Sequence, residues 1–163
     1  MIIYKNLKNT KINKKDIKSI LHLKKQNWKY RLKSQYKYFN DNVKPNDVHC
    51  MMYQKKKLIG YTLLRLRKIL NIRFLIFDTY IICKTFRSKG NGKNLLLYDN
   101  KIIKSKKLPA ILLCEKRMIS FYSKYGWKLQ TTKVNKKNLM SFNIDKKKIL
   151  ILKKYVKKIF FSV

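Results

Sequence analysis

One short segment, from Ile76 to Gly92, limits the possible folds of this chain more than any other. It runs from an apolar stretch with strand character, through a short basic turn, into two glycines. The turn reads Arg87-x-x-Gly90-x-Gly92, and a leucine-rich pattern with helical spacing follows at once. Glycines at a strand-to-helix turn let backbone N–H groups approach a ligand, and the helix N-terminus adds partial positive charge. The segment therefore predicts a phosphate-binding loop.

The alternative interpretation of this segment is an ordinary turn that happens to contain glycine. From the residue frequencies of the chain, a chance match to Arg/Gln-x-x-Gly-x-Gly/Ala is expected only about 0.01 times. The position of the match, between a strand pattern and a helix pattern, makes accident less plausible still. We therefore take the motif as functional.

The motif Arg87-x-x-Gly90-x-Gly92 resembles the acetyl-CoA pyrophosphate loop of the GNAT superfamily of N-acetyltransferases. A second segment, Ile119–Trp127, resembles the later Phe-Tyr-x-Lys-x-Gly-Phe/Trp segment of that family. The resemblance covers Leu58 to Leu129, and the N-terminal third carries no specific signature. It implies an α/β fold, the GNAT or acyl-CoA N-acyltransferase fold, with a mixed twisted sheet of about six to seven strands flanked by helices.

Strand and helix patterns along the chain fit such a sheet. The strands are predicted at Met1–Leu7, His49–Tyr53, Leu58–Leu66, Phe74–Cys83, Ala110–Cys114, Trp127–Thr132 and Leu139–Ile144. Helices are predicted from Ile17 with Asp16 as cap, from Trp28 to Phe39, from the glycines to about Lys107, and from Met118 to Tyr125 with Gly126 as C-cap. Gly60 inside a strand predicts a bulge or a close backbone approach. The resemblance implies a splay between Phe74–Cys83 and Ala110–Cys114 where the cofactor inserts.

The C-terminal region combines apolar residues at helical spacing with runs of lysine. We expect one acetyltransferase domain over residues 1–145 and a basic amphipathic helix or tail over residues 146–163. Such a helix either lies on an anionic membrane surface or packs on its own domain. We favour packing and predict no membrane association.

The net charge of +35 attracts polyanions of any kind. Its lysines are spread over the whole chain, in a sequence rich in Ile, Asn, Tyr and Phe, which is typical of AT-rich codon usage. A basic nucleic-acid-binding protein would need a lysine patch with interleaved stacking aromatics. The even spread disfavours this alternative, so no specific nucleic-acid partner is predicted.

Cysteine and histidine usage points away from disulfides and metals. Cys50, Cys83 and Cys114 are odd in number and widely separated, and His22 and His49 are isolated, so no metal site is predicted. No apolar run reaches the roughly 18 to 20 residues of a membrane helix. The N-terminus lacks the apolar region of a signal peptide, and we interpret the protein as cytoplasmic.

The resemblance implies acetyl-CoA as cosubstrate and indicates which residues bind it. Backbone N–H groups from Ser88 to Lys93 would wrap the pyrophosphate, with charge from three basic side chains. Two residues of the preceding strand would pair their backbone with the pantetheine arm, and an N–H there would meet the carbonyl oxygen. The predicted cofactor-binding residues are Ile82, Cys83, Arg87, Ser88, Lys89, Gly90, Asn91, Gly92 and Lys93.

Tyr122 is the predicted proton donor to the leaving thiolate. It stands in the Phe-Tyr-x-Lys-x-Gly-Trp match, where many family members carry a general-acid tyrosine. It also lies on the apolar face of its predicted helix, so plain core packing is the alternative.

Asp78 is the predicted base, because it interrupts an apolar strand and buried acids need a reason. It precedes Ile82 by four residues, and strand alternation then puts both side chains on one face. The alternative is a structural hydrogen bond, or an ion pair with Arg65, Arg67 or Arg73. Glu115 is a weaker second choice as base and otherwise caps the next helix.

The predicted function is N-acetyl transfer from acetyl-CoA to a primary amine of a small molecule or protein, by direct attack. No Cys–His pairing suggests a covalent intermediate, and Cys114 as nucleophile is the minor alternative. The aromatic residues between Trp28 and Phe39 either line the acceptor site or pack on the sheet. The protein is expected to be a monomer or homodimer. A module of the same fold that binds CoA without catalysis is the other alternative.

Overall fold

The computed structural model describes residues 1–161 and contains seven strands and six α-helices in that range. In chain order these are β1 (Ile2–Lys8), α1 (Lys14–Lys25), α2 (Leu32–Asn42), β2 (Val48–Gln54), β3 (Lys57–Ile69), β4 (Ile72–Ile82), α3 (Asn91–Ser105), β5 (Ala110–Cys114), α4 (Ile119–Ser123), β6 (Lys128–Val134), β7 (Lys137–Phe142), α5 (Lys146–Lys154) and α6 (Val156–Phe161). Short 3-10 turns occupy Asn9–Lys11, Lys84–Phe86 and Lys116–Met118.

The strands form one seven-stranded mixed sheet in the order β1-β2-β3-β4-β5-β7-β6. β4 and β5 run parallel, with α3 between them in the chain, and their pairing covers only Leu75↔Ala110 and Ile76↔Ile111. The pairs β1–β2, β2–β3, β5–β7 and β6–β7 are antiparallel. The predicted mixed sheet of about six to seven strands is confirmed.

The chain divides into two compact units, which are described separately. The first comprises Met1–Arg65 and Asp78–Asp99, and the second comprises Leu66–Phe77 and the chain from Asn100 onward. The glycine loop and Asp78 belong to the first unit, whereas Tyr122 belongs to the second.

The core of the first unit forms where α1 and the start of α3 pack on strands β2, β3 and β4. Ile20, Leu23 and Leu95 are buried there with apolar residues of the three strands. Gly60 permits this packing, because a Cβ at that position would lie 3.0 Å from Ile82 Cδ1 and 3.2 Å from Leu95 Cδ2. The β2–β3 register also shifts between Met52 and Tyr53, opposite this glycine. The predicted bulge and close approach are both confirmed.

The start of α1 differs from the sequence prediction. The helix begins at Lys14, and the side chain of Asn13 accepts the N–H of Asp16 at 2.8 Å. Asp16 was therefore the wrong choice of cap. Its carboxylate instead binds Lys5 Nζ and the Tyr53 hydroxyl, both at 3.1 Å. A helix that starts earlier leaves Asp16 in the first turn, where it faces β1 and β2.

The second predicted helix also starts later than the aromatic pattern indicated. α2 begins at Leu32, so Trp28 and Tyr30 lie in the connection between α1 and α2. Phe39 is buried, as a core residue of an amphipathic helix should be. The aromatic residues that were read as one helical stretch therefore divide between a connection and a helix.

The second unit has a core of its own, made by β4, β5, β7 and the C-terminal helices. Ile149, Leu152 and Val156 are buried together with Phe74 and Ile111. The basic amphipathic segment thus packs its apolar side on this unit. Ser162 and Val163 lie outside the described residues. Within residues 1–161, no helix is both long and apolar enough to cross a membrane.

The turn after α4 confirms the predicted glycine C-cap. Gly126 has a φ of +89°, its N–H donates to Ser123 O at 3.2 Å, and Trp127 N–H donates to Tyr122 O at 3.3 Å. Trp127 is buried and its Nε1 donates to Asn100 Oδ1 at 3.0 Å. This bond fixes the turn against the end of α3.

Candidate functional site

The glycine loop between β4 and α3 presents a row of backbone donors. Positive φ values at Ser88 (58°) and Gly90 (76°) curl the chain, and Asn94 N–H donates to Gly90 O at 3.0 Å to begin α3. Within the described residues, the N–H groups of residues 88–93 have no hydrogen-bond partner. A curled chain that leads into a helix N-terminus is the geometry that binds phosphate oxygens.

Several side chains hold this loop in shape. Arg87 Nε donates to Ile82 O at 3.0 Å, and its guanidinium also bonds Asn27 Oδ1. Asn91 Nδ2 donates to Phe86 O at 2.8 Å, and the Tyr80 hydroxyl bonds Gly92 O. Arg87 was predicted to add charge at the pyrophosphate, but here its guanidinium ties the loop to β4 and to the α1–α2 connection.

Basic side chains surround Phe86 at the start of the loop. Lys89 Nζ lies 5.9 Å and Lys57 Nζ 5.4 Å from the centre of its ring. Lys93 is exposed in the first turn of α3. Lys57 belongs to β3 and the sequence motif gives no hint of it, because only the fold brings that strand beside the loop.

The end of β4 divides its backbone groups between its two edges. Cys83 N–H donates to Ile59 O at 2.7 Å, and Cys83 O accepts Phe86 N–H at 2.8 Å. Backbone groups alternate along a strand, so the N–H of Ile82 points to the edge away from β3. Of the two residues predicted to contact the pantetheine arm, Ile82 therefore keeps the better-placed N–H.

The thiols of Cys83 and Cys114 differ in their acidity. Burial raises the pKa of Cys83, but hydrogen bonds from Thr85 and Gln26 and the charge of Lys57 outweigh it, so the pKa is lowered. Burial raises the pKa of Cys114, and the charge of Glu115 adds to the effect. A raised thiol pKa disfavours nucleophilic attack, which speaks against Cys114 in that role.

Asp78 lies at an irregular point of β4. The next residue, Thr79, has a φ of 52°, which is uncommon for a β-branched residue and marks local backbone strain. Asp78 Oδ2 lies 3.5 Å from Arg65 Nη1, and Oδ1 accepts the Thr79 hydroxyl at 3.3 Å. Of the possible ion-pair partners considered from sequence, Arg65 is the one in contact.

The irregularity changes which face of the sheet Asp78 occupies. Asp78 and Thr79 line the same pocket, beside residues of α1 and α2. Ile82 instead meets Leu95 of α3 above Gly60, and the neighbouring Tyr80 also reaches α3. The prediction that Asp78 and Ile82 share a face is wrong, because the kink at Thr79 interrupts the alternation on which it rested.

The pocket beside Asp78 has a volume of about 450 Å³, within the range of small-molecule sites. Its walls combine three aromatic side chains with a lysine, a buried amide and the carboxylate. These residues are Trp28, Tyr30, Tyr38, Lys24, Gln35 and Asp78. Of the two interpretations of the aromatic residues, pocket lining holds for these three, while Phe39 is core.

Tyr122 occupies the aromatic core of the second unit. It is 6% exposed, and its ring makes edge contacts with Phe77 at 6.0 Å, Phe121 at 5.3 Å and Trp127 at 6.1 Å between centroids. These contacts explain the apolar spacing of its helix, and the proton-donor role stays a prediction.

Of the remaining acids, Glu115 and Asp99 differ from expectation. Glu115 is exposed and pairs with Arg117 Nε at 2.6 Å, and its side chain makes no capping bond to the turn that follows. Asp99 is fully buried in α3, where it accepts the Thr62 hydroxyl at 2.8 Å. Burial raises the pKa of Asp99 to about 8, while the bonds from Thr62 and Cys50 oppose that rise.

Asp99 was missed by the sequence analysis, although its spacing offered a signal. It follows Leu95 and Leu96 and precedes Ile103 at helical intervals, on the buried side of α3. An acid in an apolar helical stripe is as unusual as one in an apolar strand, and only the latter was noticed.

Comparison with known proteins gives a result for fold but none for sequence. No protein-family model matches the chain, and no curated protein sequence matches it. Solved structures do match. A putative acetyltransferase of the GNAT family from Bacteroides thetaiotaomicron is 18% identical, with a TM-score of 0.69 over 99% of both chains. An acyl-CoA N-acyltransferase from Pseudomonas aeruginosa is 14% identical, with a TM-score of 0.72 over 87% of this chain and 99% of that one.

A third similar structure is the PaiA N-acetyltransferase from Thermoplasma acidophilum in complex with coenzyme A. It is 19% identical, with a TM-score of 0.61 over 87% of this chain and 98% of that one. At such identities the likeness is one of fold. The chain has the acyl-CoA N-acyltransferase, or GNAT, fold that the sequence motifs predicted.

Proposed function

We propose that this protein is an N-acetyltransferase that moves the acetyl group of acetyl-CoA to a primary amine by direct attack. The observation that carries the proposal is the row of N–H groups at residues 88–93, which have no partner within the described chain. Such a row suits a pyrophosphate, whatever side chains surround it. The likeness of fold to a protein solved with coenzyme A gives independent support.

The loop residues from Ser88 to Lys93 would hold the pyrophosphate of acetyl-CoA, and Ile82 N–H would meet the pantetheine arm. Lys57 and Lys89, beside Phe86, add positive charge close to the loop. Arg87 serves to position the loop, since its guanidinium is bound to Ile82 O and Asn27. When bound, acetyl-CoA supplies the thioester carbonyl that the amine attacks.

Asp78 is the proposed proton acceptor for the attacking amine, because it is the carboxylate that lines the pocket. An amine attacks only in its neutral form, so the ammonium proton must leave before or during C–N bond formation. The side chain of Asp78 is 34% exposed, which lets it pass this proton to water. The C–S bond then breaks, and the CoA thiolate takes a proton.

Tyr122 is the proposed source of the proton for the thiolate. This role rests on the resemblance of its segment to the family motif, and core packing is the alternative. Its burial among Phe77, Phe121 and Trp127 would favour a neutral phenol that gives up its proton only to a strong base such as a thiolate.

Calorimetric titration with acetyl-CoA at moderate salt tests the proposal, with ATP and pyrophosphate as polyanion controls. We expect one acetyl-CoA per chain, bound much more tightly than either control. Gly92→Glu should abolish binding, because it puts a side chain and a negative charge into the loop. Asn46→Glu introduces the same charge in the exposed turn before β2 and should leave acetyl-CoA binding intact.

Two outcomes would contradict the proposal. If the three compounds bind alike and binding disappears as salt is raised, the lysines bind polyanions without a specific site. The nucleic-acid alternative would then be the better one. If acetyl-CoA binds in the loop and no primary amine is ever acetylated, the protein is a CoA-binding module without catalysis.

A further inference from the structure

Gln35 places an unsatisfied acceptor in the pocket of the first unit. It is 6% exposed, and its Nε2 donates to Tyr30 O at 3.2 Å. Only the nitrogen end of an amide donates to a carbonyl, so this bond fixes the orientation of the side chain. Oε1 is buried without a partner in the described chain. An orphaned buried acceptor costs about 1–3 kcal/mol, which a ligand N–H would recover.

Lys24 places a positive charge against the aromatic walls of the same pocket. Its Nζ lies 6.0 Å from the ring centre of Trp28 and 5.7 Å from that of Tyr38. Burial lowers the pKa of Lys24, although the charge of Asp78 opposes this and that of Arg65 adds to it. The direction of the shift shows that the surroundings tolerate one ammonium group poorly.

The single carboxylate among these pocket residues has little charge to spare for a polycation. Asp78 is already paired with Arg65 at 3.5 Å. Two acceptors, Asp78 and Gln35 Oε1, therefore face one lysine and three rings. This combination suits a ligand with N–H donors at one end and a flat apolar body behind them.

We propose that the pocket takes a primary amine with a single positive charge and an aromatic body, and that Lys24 rejects amines with a second positive charge. The inference rests on the proposed function, with this pocket as its acceptor site. The amine donates to Gln35 Oε1 and Asp78, and the rings of Trp28, Tyr30 and Tyr38 cover the body. A second ammonium group would meet Lys24 at close range in a partly buried site, where repulsion is strong.

Calorimetry with two small amines tests this selectivity on the full chain. 2-Phenylethylamine carries one charge and a ring, and 1,5-diaminopentane carries two charges on a chain of similar length. We expect 2-phenylethylamine to bind at least about tenfold more tightly. Gln35→Leu removes the orphaned acceptor at nearly constant volume and should weaken 2-phenylethylamine about tenfold.

Lys24→Met and Lys25→Met form a matched pair on α1. Both remove one positive charge, but Lys25 is exposed and does not line the pocket. Lys24→Met should improve 1,5-diaminopentane binding about tenfold and change 2-phenylethylamine binding less than about threefold. Lys25→Met should leave the ratio of the two affinities as in the wild type. Thermal unfolding of each variant verifies that it is folded.

The inference is overturned if the diamine binds as tightly as the arylamine, or if Lys24→Met and Lys25→Met shift their ratio equally. It is also overturned if neither amine binds to protein that does bind acetyl-CoA, in which case the proposed function stands with another class of acceptor. Failure of acetyl-CoA itself to bind would count against the proposed function instead. The two titrations thus separate the two failures.

Discussion

The glycine loop and the aromatic pocket of the first unit are built on different principles. The loop offers backbone N–H groups from consecutive residues 88–93, so its chemistry depends on local conformation. The pocket offers side chains from α1, α2, their connection and β4, so its chemistry depends on tertiary packing. A site made of backbone is visible in a sequence, whereas a site made of scattered side chains is visible only in a structure.

The two sites also differ in what a substitution should change. Side chains around the loop mainly hold its shape, as Arg87 and Asn91 do through their bonds to Ile82 O and Phe86 O. Side chains around the pocket face the proposed acceptor directly. Changes at the pocket should therefore alter turnover and leave acetyl-CoA affinity nearly intact.

Asp78→Asn is the strongest test of this division. It removes the proposed proton acceptor and keeps the shape of the side chain, so kcat should fall about 100- to 1,000-fold. The Kd for acetyl-CoA, measured by calorimetry, should change less than about threefold. Asp41→Asn is the matched control, because Asp41 is an exposed acid of α2 paired with Lys37. Its kcat should equal that of the wild type.

Equal losses of turnover and of acetyl-CoA affinity in Asp78→Asn would break the comparison. The variant leaves Arg65 without its partner, and Arg65 Nε is already buried without a hydrogen bond. Thermal unfolding must therefore accompany the kinetics. A folded variant with full activity would exclude Asp78 as base and leave the ion pair as its role.

Tyr122→Phe asks whether the chemistry extends beyond these two sites, into the second unit. It deletes one hydroxyl and keeps the ring contacts with Phe77 and Trp127. We expect kcat to fall about 100-fold with acetyl-CoA affinity nearly unchanged. Phe121→Leu would be a packing control, and it should lower stability more than Tyr122→Phe does. Parallel losses of rate and affinity in Tyr122→Phe would instead indicate a packing role.

The parts of the fold that the sequence predicted correctly are those set by local rules. The strand–loop–helix segment, the close approach at Gly60 and the C-cap at Gly126 each follow from a few adjacent residues. Three features went wrong or unseen for a shared reason. Asn13 replaces Asp16 as cap, Thr79 takes a φ of 52° against its propensity, and Lys57 reaches the loop from another strand. In each case the surrounding structure, which the sequence analysis did not have, decides.

Asp99→Asn separates the loop from the packing beneath it and should have the smallest effect on function. Asp99 is buried in α3, the helix that begins at the loop, and bonds the Thr62 hydroxyl of β3. The group faces no proposed ligand. We expect unchanged acetyl-CoA affinity and kcat, with a change confined to the pH dependence of stability.

The sign of that change follows from the pKa of Asp99, which burial raises from 3.8 to about 8. Between these values the folded protein keeps the proton and the unfolded chain releases it. The free energy of unfolding therefore falls as pH rises from about 4 to about 8, by at most about 1.4 kcal/mol per pH unit, and then levels off. Asparagine cannot ionise, so the advantage of Asp99→Asn over the wild type should grow from pH 5 to pH 8.

Urea unfolding of both proteins at pH 5 and pH 8 measures this difference. His49 does not interfere, because burial lowers its pKa to about 4 and the group is present in both proteins. Its contribution, lost as pH falls from about 6.5 towards 4, cancels when the two are compared. A constant stability difference between pH 5 and pH 8 would mean that Asp99 is already ionised in the fold. The region under the loop would then hold a buried charge, and the loop would be less independent of its support than its geometry suggests.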